Sequence, residues 1–428
     1  MKFIAGFPSI IAIRYVCAAA LCAAAGAELA GAAEETAEAG GMEAYVPCEE
    51  VTAGPQSHWF SYYDKFQFDP SGRYVLGMEI GFNDRPPEAG EAVKLGMVDL
   101  QDGNKWIEFG ESRSWGWQQG CMLQWLPGGD AEVIYNTLMD GRYVSVIQDV
   151  FTGEKRVLPR PIYSVSADGK RAVVPNFSRL NEMRPGYGYE GVPDPWADVN
   201  QPKGDGIYCM NLETGESRLI VSIDRIANFR RQPSMEGSKH YFNHLLFNQD
   251  GSRFIFLHRW RIQRDDGRTG WHTRMFTVQP DGENLHCVNE NNMVSHFIWK
   301  NPRQILAWAR EPETGDHFYL YTDQSEEKEI VGEEFLKRDG HCTYSPSGEW
   351  ILTDTYPDRE RMQNLMLYRP RDGKLEMLGR FYLDKKFTGQ TRCDLHGRWS
   401  RDGRHVCIDS LHTGKRQMYL LDVSEIVK

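Results

Sequence analysis

The sequence contains no Cys-x-x-Cys pair. Nine cysteines are present, but Cys17 and Cys22 fall in an amino-terminal apolar segment, which leaves an odd number for the folded domain. A disulfide framework is therefore not indicated, although a single bridge stays open in an oxidising compartment. There is no run of basic residues, and the formal net charge is -11, so a nucleic-acid partner is not expected. Recognition of an anionic sugar stays open, because a carboxylate needs locally placed Arg rather than overall positive charge. No compact metal motif such as HExxH occurs. The amino-terminal apolar stretch, residues 15–27, is too short to span a bilayer comfortably.

That stretch follows Lys2 and Arg14 and precedes Ala30-Gly31-Ala32, a pattern of positive start, apolar middle and small-residue cleavage point. Residues 1–32 read as an export signal peptide, 33–55 as a leader with a disordered 34–42, and 56–428 as the folded domain. The expected product is exported to the periplasm or beyond, has no membrane span after signal removal, and acts as a monomer.

What the sequence does contain is an internal repeat. An apolar strand, a turn resembling Ser-Pro-Asp-Gly and a second apolar strand recur. Copies lie at Asp69-Pro70-Ser71-Gly72, Ser166-Ala167-Asp168-Gly169, Asn248-Gln249-Asp250-Gly251, Ser345-Pro346-Ser347-Gly348 and Ser400-Arg401-Asp402-Gly403. Degenerate copies sit at Leu126-Pro127-Gly128 and Asn301-Pro302. Gly and Asp belong there because the tight turn needs φ > 0. Later turns also recur, such as Thr152-Gly153, Thr214-Gly215 and Asp372-Gly373. Paired turns bracketing short strands predict an all-β, seven-bladed β-propeller of four-stranded blades. Extra residues at 81–92, 176–205 and 261–272 follow the second strand of their blades, so they should crowd one face, where binding is usually built. Tyr187, Tyr189 and Trp196 in the longest insert, with Trp59 and Trp260, are candidates for stacking on sugar rings.

Aligned on the first turn, blades four to seven place His244, His296, His341 and His396 at one register. Blades one to three have Lys65, Met122 and Ile162 there. Four imidazoles on adjacent innermost strands predict an arc around the channel, and leaving them buried without partners would cost several kcal/mol. Ligation of a metal or an anionic substrate would offset that. Gln390, Arg392 and Asp394 precede His396. Imidazole mixed with amide or carboxylate oxygen suits Mn, Zn or Fe(II), and Ca less well. Arg259, Arg261, Arg264, Arg268 and Arg274 gather around blade four's insert as candidate carboxylate binders. His58, beside dense aromatics just before blade one, is either catalytic or part of the ring's closure.

The runs Phe242-Asn243-His244-Leu245-Leu246-Phe247, Arg274-Met275-Phe276-Thr277-Val278-Gln279-Pro280-Asp281-Gly282 and Ser295-His296-Phe297-Ile298-Trp299 resemble oligogalacturonate lyases, propellers that bind a divalent metal through His and Gln. The likeness covers mainly the last four blades. It implies a metal set of His296, Gln390 and His396, with His341 as an addition. Arg392 and Cys393 depart from that family's pattern, which has another His in this stretch. The His58-Trp59-Phe60 segment also resembles propeller α-L-rhamnosidases and related lyases that act on rhamnosyl-glucuronic acid (glycoside hydrolase family 145-like). Either resemblance implies an acidic oligosaccharide substrate. A lyase would use Arg392 or Arg259 on the uronate carboxylate and His244 or His58 as base. A hydrolase would need a carboxylate pair from Asp64, Asp354, Asp394 and Asp409. A non-catalytic glycan- or protein-binding propeller would need neither.

Overall fold

Short apolar strands separated by glycine turns pair antiparallel into seven sheets in the computed structural model, which describes residues 41–263 and 269–428. The signal-peptide reading of residues 1–32 lies outside the described residues. Each sheet is one blade of a propeller, and within five of the seven all neighbours are consecutive in sequence. In blade four, for example, the order from the axis outward is His240–Phe247, Phe254–Gln263, Thr269–Val278 and His286–Asn289. The repeated first turn behaves as its composition requires: Gly72, Gly169, Gly251, Gly348 and Gly403 all have φ between +67° and +74°. Gly169 has a second reason to be glycine. A Cβ there would lie 2.1 Å from the Pro127 carbonyl oxygen in the adjacent blade's turn.

The core lies between blades rather than within one. Phe242, Phe256 and Phe276 of blade four pack with residues of blade three, while Ile255, Leu257 and Met275 face Phe297, Ile305 and Tyr319 of blade five. The alternation of each strand thus feeds two interfaces, as the period of two demands. Among the described residues no helix is long and apolar enough to cross a membrane, and all seven described cysteines are free.

Two boundaries differ from the sequence reading. Residues 42–50 are not leader. Met42–Ala44 adds a fifth strand outside Lys374–Tyr382 in blade six, and Cys48–Glu50 supplies the outer strand of blade seven beside Gln417–Asp422. The amino-terminal strand therefore closes the ring, and closing it caps an edge that would otherwise be open. Residues 261–272 are not a loop either: the described part is ladder, pairing Gln263 with Thr269. Arg264 and Arg268 lie outside the described residues. Residues 176–205 do form an insert, opening with a helix over Phe177–Met183 that Asn176 caps through the Arg179 amide.

Blade one carries the feature that positions the site. Its inner strand pairs at Ser57–Trp59, leaves the ladder, and touches it again at Phe68. The intervening residues 60–66 cross the channel. They are tethered where they leave: the Phe60 amide donates to the Asp409 carboxylate, which is paired with Arg398 at 2.9 and 3.1 Å, and Arg398 also donates to Gln67. Arg398 and Asp409 are both 2% exposed. Replacing Arg398 by Met leaves a buried carboxylate unpaired and should destabilise the fold by about 3–5 kcal/mol, read as a lowered midpoint in urea unfolding.

Candidate metal centre and active site

The register that carries the histidines is where the inner strands depart from regular pairing. His244 and His396 have φ of +50° and +47°. The ladder shifts between Asn243 and Leu246 in blade four and between Val294 and Phe297 in blade five. A bulge re-aims a side chain, and non-glycine residues with positive φ are strained by about 1–3 kcal/mol. The result is a cluster: the ring centroids of His296 and His341 are 4.1 Å apart, and those of His341 and His396 are 4.3 Å apart.

Asp354, at the end of blade six's second strand, organises this cluster. Its carboxylate accepts from the His341 amide (2.7 Å), from His341 Nδ1 (3.0 Å to each oxygen) and from the His396 amide (3.1 Å). Gly340 permits the approach, since a Cβ there would collide with the Asp354 backbone carbonyl. With Nδ1–H held by Asp354, His341 presents Nε2 as a lone pair, the arrangement by which a carboxylate orients a ligating imidazole. His341, Asp394 and His396 offer ligand atoms that all lie within 4.8 Å of one another. His396 Nε2 is buried and has no hydrogen-bond partner. Two imidazoles and a carboxylate around an orphaned nitrogen fit a divalent ion, Mn or Zn better than Ca.

The diverted segment of blade one packs against the cluster. The Tyr62 ring lies 4.9 Å from His396 and 5.2 Å from His244, and the Tyr63 ring 5.2 Å from His341. Tyr63 Oη donates to the Phe297 carbonyl. His244 stacks on Phe297 at 4.0 Å, and its Nε2 lies 3.3 Å from Asp64 Oδ2. Asp64 in turn pairs with Lys65 at 2.7 Å. His296 Nδ1 meets Asp339 Oδ1 at 2.9 Å, and its Nε2 lies 3.5 Å from the Tyr356 hydroxyl.

Burial sets the charge states. It pushes His244 down to about 4 against the opposing pull of Asp64. It pushes His396 well below the usual imidazole range, with His341 and Arg398 adding to the shift, and lowers His296 although Asp339 works the other way. For His341 burial also acts downward, but Asp354 outweighs it and the net direction is up. Burial opposes ionisation of Asp394, yet Arg392 holds its carboxyl below the ordinary value.

The remaining predicted residues divide. Arg392 is at the cluster: its guanidinium grips Asp394 with two bonds of 2.7 and 2.6 Å and lies 4.9 Å over the Tyr356 ring. Tyr187 is there too, its ring carrying Arg184 at 3.9 Å. Arg259 is 4% exposed, with Nε and Nη1 unpartnered. Gln390 sits on a short turn, Gly389–Thr391, against Gly186, and Asp394 is a carboxylate grouped with His341 and His396. His58 is not in the cluster. Gln417 and Glu79 occupy its two nitrogens at 3.0 and 3.1 Å, and Trp106 covers it edge-on. It is closure packing, so the base reading for His58 is withdrawn.

Trp59 and Trp260 are each 0% exposed, the first packed on Trp115 and Trp117, the second beside His258 with Arg274 over its ring. A sugar cannot reach either. Trp196 is exposed on the insert, where its backbone carbonyl binds Arg179. Arg261 and Arg274 are spent on main-chain carbonyls, Arg274 on those of Ile226 and Phe229. Sequence reasoning missed Arg184, which follows the insert's helix. Among the described residues it makes no ion pair, and it stacks between Tyr187 and Trp271.

The fold and site define a seven-bladed propeller with a buried His/Asp cluster in its channel. Two solved structures resemble it over nearly their whole length. One is an oligogalacturonate lyase from Vibrio parahaemolyticus: TM-score 0.62, 14% identity, 90% of this chain and 98% of that one. The other is an oligogalacturonate lyase in complex with manganese: TM-score 0.62, 16% identity, 89% and 93%. Neither is a rhamnosidase. No protein-family model and no curated protein matches the chain.

The depressed histidines give stability a definite pH dependence. His244, His396, His240, His258 and His412 stay neutral in the fold below the pH at which the unfolded chain takes up protons. Their contribution is present above about pH 6.5 and is lost as pH falls toward their folded values; His341 has the opposite sign. At pH 5, a folded value of about 4 for His244 corresponds to a loss of about 2 kcal/mol. Thermal unfolding should therefore show a clearly lower midpoint at pH 5 than at pH 7.5.

Proposed function

We propose that this protein is a uronate lyase that cleaves acidic plant oligosaccharides by β-elimination, with oligogalacturonate as the first substrate class to test. The observation that carries the reading is the channel cluster itself. Neutral imidazoles, an orphaned His396 Nε2 and a carboxylate come together beside Arg392, which pairs with that carboxylate, and Arg184, which has no acid partner among the described residues. The two structural neighbours support the reading through their fold.

The elimination removes the proton at C5, next to the carboxylate, and expels the C4 substituent. Charge developing on the carboxylate has to be neutralised. Arg184 has no acid partner and Arg392 shares the Tyr187 and Tyr356 environment, so this pair would hold the carboxylate. Arg259, buried with two unpartnered nitrogens, is a further donor. A base must be unprotonated and have a free lone pair. His244 fits both needs: burial keeps it neutral, Asp64 is placed to hold Nε2–H, and among the described residues no side chain is placed on Nδ1. A divalent ion held by His341, Asp394 and His396, with His296 adjacent, would supply Lewis-acid stabilisation of the carboxylate when bound.

The hydrolase alternative fares worse on electrostatics. It needs a carboxylic acid kept protonated near neutral pH, whereas Asp64, Asp354, Asp394 and Asp409 are paired with Lys65, His341, Arg392 and Arg398. Asp64 is held down to about 2.

Oligogalacturonides incubated with the protein should develop near-ultraviolet absorbance from an unsaturated uronate, and chelator should abolish it. Release of reducing sugar without absorbance would reject elimination. His244→Ala should lower kcat by about 10²–10⁴-fold, the range for a lost general base, while Arg184→Ala should act mainly on KM. Independently of turnover, Mn²⁺ should raise the thermal midpoint, and His396→Ala should remove that increment.

A further inference from the structure

The inner strands run past the histidine level to the repeated first turns, and there the channel opens again. A cavity of about 650 Å³ occupies this end, within the range of small-molecule sites. It does not connect freely with the histidine cluster. Tyr63, Asp64 and Lys65 line it on one side and pack against His244 and His341 on the other. Tyr63 is 2% exposed, and the side chains of Asp64 and Lys65 are 0% and 2% exposed. A molecule in this cavity is thus separated from the candidate active site by a closed layer of side chains, so the cavity is no exit path for that site.

Its charge is opposite to that of the chain. The protein carries a formal net charge of -11, yet the lining includes four basic residues, Lys65, Lys300, Arg398 and Arg401, and a single acid, Asp64. Lys65 is neutralised by Asp64, and Arg398 by Asp409. Among the described residues Lys300 and Arg401 make no ion pair. Arg401 is fixed all the same: Nε donates to the Phe68 carbonyl, and the guanidinium lies 4.0 Å over the Phe66 ring. Those contacts leave both Nη atoms for a ligand in the fork geometry that suits a carboxylate. The nearest acid, Asp69, already accepts from the amides of Ser71 and Tyr74. Phe66, Trp299, Tyr344 and Trp399 supply ring faces in the same lining. Phe66 is 43% exposed, with Arg401 over its ring.

We propose that this mouth is a second ligand site, separate from the histidine cluster, that binds an acidic sugar with its carboxylate on Arg401 and Lys300 and its ring against the aromatic wall. The cations and the cavity stand on their own; the choice of an acidic sugar over another organic anion rests on the uronate reading of the first site.

Calorimetric titration with galacturonate, which has no glycosidic substituent at C4 to expel, tests it on the full chain. Two sites are expected. The Arg401→Gln, Lys300→Gln double variant should lose one of them, with affinity at least 10-fold weaker, while oligogalacturonide turnover and thermal midpoint stay unchanged. Galacturonate methyl ester, which lacks the charge, should bind only weakly at this mouth. A single wild-type site unaffected by the double substitution would overturn the proposal, as would equal binding of the ester. The two readings fail separately. Arg401-dependent binding without ultraviolet activity sinks the lyase and leaves this site, and activity without Arg401-dependent binding does the reverse.

Discussion

Burying a carboxylate in a protein interior costs several kcal/mol unless its oxygens are well occupied, and the Asp354 carboxylate is occupied by three donors drawn from two blades. That requirement fixes the geometry around it. It pins the His341 ring, sets the approach of blade seven's inner strand through the His396 amide, and excludes any side chain at position 340. Seven twisted sheets around an axis leave a gap at the centre, and that gap must be filled or hydrated. Here it is filled by the segment of blade one that abandons its own ladder, with Arg398–Asp409 compensating part of what that segment gives up. The candidate metal ligands converge because both devices act at the same level of the channel.

The electrostatics of the cluster follow from the same dryness. Asp64 and Asp394 have cations against them that hold both carboxyls below the ordinary range, while most of the imidazoles are too desolvated to take a proton. A site built this way offers lone pairs on nitrogen and fixed negative oxygen, which is what a divalent ion or a proton-abstracting step needs. It offers no protonated carboxyl, which is what acid-catalysed glycoside cleavage needs. The distinction between elimination and hydrolysis therefore rests on pairing, a property that residue identities alone do not display.

The fold was legible because its cause is local. A glycine with positive φ at the same offset in successive repeats reports a hairpin wherever it occurs, and the histidine register followed by counting from that turn. Closure was not legible: Met42–Ala44 and Cys48–Glu50 are short, polar and exposed in part, and become strands only because blades six and seven present open edges. The same limit separates the site residues. His341 and His396 could be counted to. Arg184 could not, because it lies in an insert with no repeat to register it. Trp59 and Trp260 turn inward, and of the two readings open for His58 the packing one holds, since an aromatic at a strand end reads alike whether it faces a ligand or the neighbouring blade. Gln390 lies on the Gly389–Thr391 turn against Gly186, and Asp394, four residues on, adds a carboxylate beside His396 that the likeness to a His and Gln set did not point to.

The filled centre has a consequence for the whole channel. Because the crossing segment closes it with the packed side chains of Tyr63, Asp64 and Lys65 and their internal ion pair, the two ends share residues while remaining separate spaces. Asp64 is the hinge between them. One oxygen pairs with Lys65, which faces the cationic mouth, and the other meets His244 in the histidine cluster. Because both oxygens are taken up inside this layer, an anion in the mouth meets Lys65 as one half of a buried pair rather than as a free cation. The positive charge left for a ligand at that end is therefore that of Arg401 and Lys300, which is why the two ends can share residues and still be tested apart.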